Sequence, residues 1–248
     1  MLDKKTPQEI ETLRTGGQIL GQILRKTAAY IKVGMTGIEL NQYTEDLITK
    51  AGGIPSFKNY QGFPAGLCIS VNQTVVHGIP NNISFKEGDL VGIDVGMKYK
   101  GLYTDTAMTV PVGKVSEQAQ KLLDITKQAL EVAISQVGPD RYIGDIGKAI
   151  EAFIKPHGYG IVRDLAGHGV GRAVHEEPMI PNYDPGKKLQ KMEPGLILAI
   201  EPMIIQGGGH QVGVSDNGWD VNSADNSLTA HFEHTVAVTE DGYLIITE

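Results

Sequence analysis

One order of patterns runs through the sequence twice: helix, helix, strands, then helix, helix, strands again. The first round opens at Thr6-Pro7-Gln8-Glu9, where Thr6 is placed to cap, Pro7 suits the first helical position and Glu9 completes a capping box. Ile10, Leu13, Leu20, Ile23 and Leu24 form a helical stripe that Gly34-Met35 break. Residues 36–39 repeat the capping-box pattern, and Leu40, Tyr43, Leu47 and Ile48 continue a second helix to Gly52-Gly53. A loop rich in Gly, Pro and aromatics, residues 55–66, leads to strand-like runs at 67–71, 89–95 and 103–110. The second round has a long helix over 116–137, a break at Gly138-Pro139, a shorter helix over 143–155 and a stop at His157-Gly158. Strand-like runs follow at 196–205, 212–214, 231–238 and 243–247. This repetition predicts a duplicated unit with pseudo-two-fold symmetry, an α+β architecture with helices on one face of a mostly antiparallel sheet. The halves match in pattern rather than residue by residue. No linker rich in Pro, Ser or charge separates them, so a single domain over residues 1–248 is expected.

Composition removes several classes of function. Acidic residues outnumber basic ones 29 to 22, the net charge is −7 and no Lys/Arg run occurs, so a nucleic-acid substrate is not expected. The one cysteine, Cys68, excludes an intrachain disulfide framework and a Cys-rich zinc module. Residues 1–14 are charged and lack the apolar core of a secretory leader, and no apolar run approaches the ~20 residues of a membrane span. A cytoplasmic protein without membrane association is the resulting expectation.

The chemistry-bearing residues lie in apolar surroundings. Asp94 sits in Leu90-Val91-Gly92-Ile93-Asp94-Val95-Gly96 and Asp105 in Tyr103-Thr104-Asp105-Thr106-Ala107. A hairpin symmetric about Tyr99-Lys100 would set them directly opposite each other, with Cβ atoms ~5 Å apart. Alternation then sends Val91, Ile93 and Val95 to the core face, while Gly92 and Gly96 leave space above Asp94. Glu201 ends the run Leu196-Ile197-Leu198-Ala199-Ile200, and Glu233 lies in His231-Phe232-Glu233-His234-Thr235-Val236. Four interior carboxylates cannot stay ionised together without compensating charge. Two divalent cations would neutralise them. His168, between Gly167 and Gly169, adds an imidazole that its glycines allow close to a crowded site; His175 follows seven residues later. One imidazole plus four carboxylates suits Mn²⁺, Fe²⁺ or Co²⁺, with Zn²⁺ also accommodated.

These residues resemble the type I methionine aminopeptidases, a family with the duplicated "pita-bread" fold. The resemblance covers the whole chain, from Thr6-Pro7-Gln8-Glu9-Ile10 to Glu240-Asp241-Gly242. It rests on Val75-Val76-His77-Gly78-Ile79-Pro80, on Asp94 with Asp105, and on Gly167-His168-Gly169-Val170-Gly171 with His175-Glu176-Glu177-Pro178. Ile200-Glu201-Pro202 and Phe232-Glu233-His234-Thr235 complete it. The resemblance implies a dinuclear-metal hydrolase that removes N-terminal methionine by attack of a metal-bridging hydroxide on the first peptide bond. It implies five metal ligands, Asp94, Asp105, His168, Glu201 and Glu233, with Asp105 and Glu233 shared between the two ions. Glu201 would also shuttle the proton, His175 would contact the scissile carbonyl and its oxyanion, and His77 would reach the leaving nitrogen.

The implied methionine pocket is walled by Tyr60, Phe63, Cys68 and Trp219, with Phe57 at its margin. The family pattern also leaves room for a monovalent cation near Asn72, Thr74 and Thr229, and for docking on the ribosome. A monomer acting on N-termini of nascent proteins and peptides is expected. Two positions depart from the family's usual pattern. Val174 stands where an aromatic is common, and Leu165-Ala166 where Tyr-Cys is frequent. Val174 is expected to alter one pocket wall. Proline-specific peptidases share the fold but usually carry a further N-terminal domain, for which 248 residues leave no room.

Overall fold

The computed structural model describes residues 2–248, so Met1, the first residue of the charged N-terminal stretch, lies outside it. Its helices come in two consecutive pairs: α1 (Pro7–Tyr30) with α2 (Gly37–Lys50), and α3 (Glu117–Ile134) with α4 (Ile143–Ile154). The caps read from sequence set their starts. Thr6 and Glu9 satisfy each other's backbone amides at α1, and Thr36 and Glu39 do the same at α2. Ser116 caps α3 through the Ala119 amide at 3.1 Å. No helix among the described residues is long and apolar enough to cross a membrane.

The main sheet is antiparallel. Its strands run in the order Ile54–Pro55, Leu90–Tyr99, Leu102–Pro111, Glu233–Thr239, Ile197–Ile200, Ala166–Gly169 and Glu176–Pro181. Cys68–Val71 also pairs with Leu90–Tyr99, and Gly242–Ile245 with Glu233–Thr239. Val91, Ile93 and Val95 are buried against α1 and α2. Leu198, Ile200, Val236 and Val238 are buried against α3 and α4. Each helix pair thus covers mainly the strands of its own half, with Leu13 of α1 reaching Ile197 and Ala237 of the other, in keeping with the predicted duplication.

The halves meet between Leu102–Pro111 and Glu233–Thr239, where strand pairing spans only Glu233↔Ala107 and His234↔Thr106. Threonine hydroxyls extend that short seam. The Thr235 hydroxyl donates to the Asp105 carbonyl at 2.7 Å and accepts from the Asp105 amide at 3.0 Å. The Thr109 hydroxyl does the same for His231, at 2.9 Å to both backbone groups.

Three expectations need correction. The hairpin pairs Asp94 with Ala107 and Asp105 with Gly96, so the two aspartates are diagonal rather than opposite. The turn is centred on Lys100-Gly101, both left-handed (φ 47° and 91°), which is the backbone of a two-residue hairpin loop. A shift of two residues preserves the face, so both carboxylates still point the same way. The space above Gly96 is taken up: a Cβ there would lie 2.1 Å from Ser56 Oγ and 2.7 Å from Phe57 Cε1. The runs 196–205 and 231–238 each divide into two strands in different sheets. Ile197–Ile200 and Glu233–Thr239 belong to the main sheet, while Met203–Ile205 and Thr229–His231 pair with each other in a small one. Glu201-Pro202 and Phe232 are the breaks; proline lacks the ladder donor.

The first helix packs directly on the last strand's exit. A Cβ on Gly17 would sit 2.4 Å from the Ile246 carbonyl oxygen, and one on Gly21 2.2 Å from that of Thr247. Backbone on both sides leaves little to yield. Gly21→Ala is therefore expected to destabilise by about 1–3 kcal/mol, read as a lower urea midpoint with unchanged slope. Gly213→Ala, whose Cβ would meet nothing within 4 Å, should stay near neutral.

Candidate metal centre and substrate pocket

Strand register places four of the five proposed ligands in two adjacent rows on one face of the sheet. One row runs across Cys68, Asp94, Ala107 and Glu233. The next contains His168, Ala199 and Thr235, and continues through the Thr235–Asp105 hydrogen bonds to Asp105 and Gly96. Consecutive rows are one pleat repeat apart, ~7 Å along a strand. Ala107 and Ala199 are the small residues between the functional side chains, while Ser56 and Phe57 fill the space over Gly96. Glu201 joins at the strand end, held through its carbonyl, which accepts from Asn182 Nδ2 at 3.0 Å.

One ligand atom each from Asp105, His168 and Glu233 lies within 4.8 Å of the others. His168 Nε2 is 3.7 Å from Glu201 Oε1. The His168 Nδ1–H donates to the Gly169 carbonyl at 2.8 Å, which leaves Nε2 as the free lone pair. The flanking glycines are required by neighbouring backbone: a Cβ on Gly167 would lie 2.4 Å from the Ala199 oxygen, and one on Gly169 2.3 Å from that of Glu177.

No lysine or arginine lines the pocket that contains this cluster. Burial, reinforced by the charges of Asp105 and Glu201, pushes the Asp94 carboxyl well above the usual range. Glu233 is raised in the same way, by burial and by Asp105, Glu201 and Asp94. Burial takes Asp105 up to about 6, against the opposing charge of His168. Glu201 behaves differently. Burial alone would raise it, but His231, His168 and His77 hold it below the ordinary glutamate value. Asp94 Oδ1 and Asp105 Oδ1 are buried without a hydrogen-bond partner. Buried acceptors with no donor, several carboxylates and a free imidazole nitrogen fit divalent cations. The residue set implied by the resemblance therefore has the chemistry that it requires.

His231 was missed by the sequence reading. It is 3% exposed, and its Nε2 lies 3.3 Å from Glu201 Oε2. The signal was present: it stands two positions before Glu233 in an apolar run, where an interior polar residue is as unusual as a glutamate.

The cavity above the cluster measures about 130 Å³. Asp94, Asp105, His168, Glu201 and Glu233 line one side, with His77 and His175 beside them. Phe57, Tyr60, Gln61, Phe63, Cys68 and Trp219 form the rest. Phe63 meets Trp219 edge-on at 5.1 Å. Gln61 is a further addition to the sequence reading. Val174 is buried in the same apolar cluster as Phe57, Phe63 and Cys68. Cys68 faces Asp94 across the strands, and burial together with that carboxylate pushes its thiol well up, so it stays protonated. His77 adopts a left-handed backbone (φ 60°), and burial lowers its imidazole below the usual histidine value. Partial desolvation by the pocket walls and the neighbouring His168 lower the solvent-accessible His175 to about 4.

These shifts set the pH response of the metal-free protein. Asp94, Asp105 and Glu233 keep protons in the folded state that the unfolded chain has released. That contribution is complete below their unfolded values and is lost as pH rises through the folded ones, about 6 for Asp105. His77, His175 and His234, held below the ordinary histidine value, oppose this up to about pH 6.5, so the melting temperature of chelator-stripped protein is expected to fall between about pH 6.5 and about pH 8, and Mn²⁺ to restore it. Asp105→Asn should raise the metal-free melting temperature at the upper pH and lower the metal-loaded one. A metal-free melting temperature that climbs over this interval would contradict the clustering of these charges.

The sequence model of metallopeptidase family M24 matches residues 11–240. Methionine aminopeptidase 1 of Bacillus subtilis is 40% identical over 247 residues, covering 100% of this chain and 99% of that protein. The crystal structure of the Thermotoga maritima methionine aminopeptidase superposes with a TM-score of 0.97 at 39% identity, with both chains fully covered. Prolidase from Pyrococcus furiosus shares the fold at a TM-score of 0.78 and 24% identity; 99% of this chain is covered but only 65% of that one. The chain thus belongs to metallopeptidase family M24 and, within it, to the type I methionine aminopeptidases.

Proposed function

We propose that the chain removes the N-terminal methionine from peptides and nascent proteins, as a single catalytic domain loaded with two divalent ions. The observation that carries this reading is the position of the carboxylate cluster. It forms one side of a pocket whose other side is apolar and aromatic. A pocket of that kind accepts one unbranched apolar side chain beside the reacting bond.

Asp94, Asp105, His168, Glu201 and Glu233 would hold the metal. Bound divalent cations supply an acidified water and a polarised carbonyl at neutral pH. Co²⁺, Mn²⁺, Fe²⁺ and Zn²⁺ all suit this donor set.

The protein's own groups then have distinct tasks. Phe57, Tyr60, Phe63, Cys68 and Trp219 enclose the methionine side chain and exclude water. A charged side chain there would be buried unpaired, which is costly. Glu201, held ionised by its histidine neighbours, accepts the proton of the attacking water and passes it to the leaving amine. His175 donates a hydrogen bond to the carbonyl oxygen as charge develops on it. His77, edge-on to Trp219 at 6.5 Å, stands by the leaving nitrogen and the next peptide unit. The two imidazoles crowd that position, which favours a small second residue. The substrate amine would lie by Asp94. We place the enzyme in the cytoplasm as a monomer, with ribosome-bound chains among its substrates. Asn72, Thr74 and Thr229, joined by hydrogen bonds of 2.8–2.9 Å around the Thr229 hydroxyl and the Asn72 carbonyl, are where a monovalent cation would bind.

Hydrolysis of Met-Ala-Ser by the metal-loaded protein tests the activity. Chelation should abolish it; full turnover by protein shown by elemental analysis to be metal-free would overturn the mechanism. Efficient cleavage of Xaa-Pro dipeptides with poor cleavage of Met-Ala-Ser would assign a proline peptidase instead. Within the site, His175→Ala should keep metal and melting temperature and lose about 10²–10³-fold in kcat. His168→Ala should lose metal affinity, measured by titration calorimetry.

A further inference from the structure

We propose that Tyr60 is a positioning residue that fixes the proton of His175 on Nε2, so that this imidazole presents an N–H to the pocket. The proposal rests on the assignment of His175 to the substrate carbonyl and extends it, since Tyr60 otherwise serves only as pocket wall.

The first observation is the contact itself. His175 Nδ1 lies 3.0 Å from the Tyr60 hydroxyl, with the rings 5.4 Å apart and tilted by 39°. A neutral imidazole has one donor and one acceptor nitrogen, and the partner of one nitrogen decides the state of the other. A phenol is the stronger donor of this pair, because its oxygen lone pair is delocalised into the ring and its O–H is correspondingly acidic. Tyr60 therefore donates, Nδ1 accepts and the ring proton stays on Nε2. His175 Nε2 has no hydrogen-bond partner among the described residues, and the ring lines the same cavity as Asp105 and Glu201. The opposite tautomer would turn a lone pair toward that acceptor-rich space.

The second observation is the backbone that carries the hydroxyl. Tyr60 lies between Asn59 (φ 65°) and Gln61 (φ 50°), two non-glycine residues in the left-handed region. Such conformations are uncommon for residues with a Cβ and persist only where surrounding contacts impose them. Here the Tyr60 amide donates to the Phe57 carbonyl at 2.9 Å, Asn59 to Phe63 at 2.8 Å and Phe63 to Tyr60 at 2.9 Å. The loop closes on itself and fixes the backbone from which the hydroxyl projects.

The third observation is the contrast with His168, whose ring centroid is 4.3 Å away. Its Nδ1 faces a carbonyl oxygen, a pure acceptor, so the proton must sit on Nδ1. Two adjacent imidazoles are thereby set in opposite tautomers. One offers a lone pair to a metal, and the other offers a proton to a substrate oxygen.

Nitrogen-15 spectra of histidine-labelled, Zn²⁺-loaded full-length protein read the tautomers directly. The expected spectrum shows His175 with a bare Nδ1 and a protonated Nε2. Tyr60→Phe keeps the ring and removes the hydroxyl. It should give a mixed tautomer and lower kcat for Met-Ala-Ser by up to about tenfold, the population shift one neutral hydrogen bond carries. KM, bound Zn²⁺ and melting temperature should be retained. On a His175→Ala background the same change should cost almost nothing, because the two residues act as one unit. A wild-type His175 protonated on Nδ1 overturns the proposal, as does a Tyr60→Phe protein with unaltered tautomer and kcat, or losses that multiply in the double variant. The tautomer readout decides the proposal even if Met-Ala-Ser is not hydrolysed, a result that would instead overturn the proposed activity.

Discussion

Mutual repulsion among buried carboxylates is the constraint on which this structure depends. Asp105 and Glu233 are 4% and 2% exposed, Asp94 and Glu201 stand beside them, and no lysine or arginine reaches the pocket. In a low-dielectric interior such charges would separate or protonate unless the framework held them together and a cation compensated them. The framework does so by register. Adjacent antiparallel strands put four of the ligands in two lateral rows, with Ala107 and Ala199 as small spacers. Where the ladder between the halves is too short to secure that register, Thr235 and Thr109 clasp the backbone of Asp105 and His231 from the opposite strand. The site is thus a product of the seam between two similar halves, and neither half holds a full ligand set.

Much of this was legible in the residues. Capping boxes at Thr6 and Thr36 fixed two helix starts, because reciprocal side-chain and backbone bonding depends only on local spacing. Asp94, Asp105, Glu201 and Glu233 stood out as charges inside apolar runs, and the structure brings all four to one pocket. The hairpin register was not legible to the residue. A two-residue turn with both positions left-handed usually advertises itself by Asn-Gly or Asp-Gly, and Lys100-Gly101 carries only half that signal. Strand breaks were also hidden. The runs around Glu201 and Phe232 stay apolar while the chain passes from one sheet into another, a change set by tertiary packing. His231 escaped notice for that reason: it ends a strand of the small sheet while its ring reaches Glu201, just past the end of a strand of the large one.

The apolar side of the pocket was recognisable only through the family resemblance. Residues 55–66 read as a loop of glycines, prolines and aromatics, a composition equally suited to plain packing. Its backbone turns through Asn59, Gln61 and Gly62, all left-handed, and folds Phe57, Tyr60 and Phe63 over the carboxylates. Val174 is buried in the cluster formed by these rings and is not among the residues that line the pocket, so its side chain bears on the wall only through its neighbours.

The seating of the first helix against residues 246–247 has a consequence for biogenesis. Gly17 and Ile246 are 229 positions apart in the sequence (246 − 17), yet their backbones touch. Until the later segment has left the ribosome, the face of α1 that carries Gly17 and Gly21 has nothing to bury against, and Glu233 is also missing from the ligand rows. Contacts of such long range slow folding and postpone it. The polypeptide therefore spends nearly its whole synthesis without a working centre.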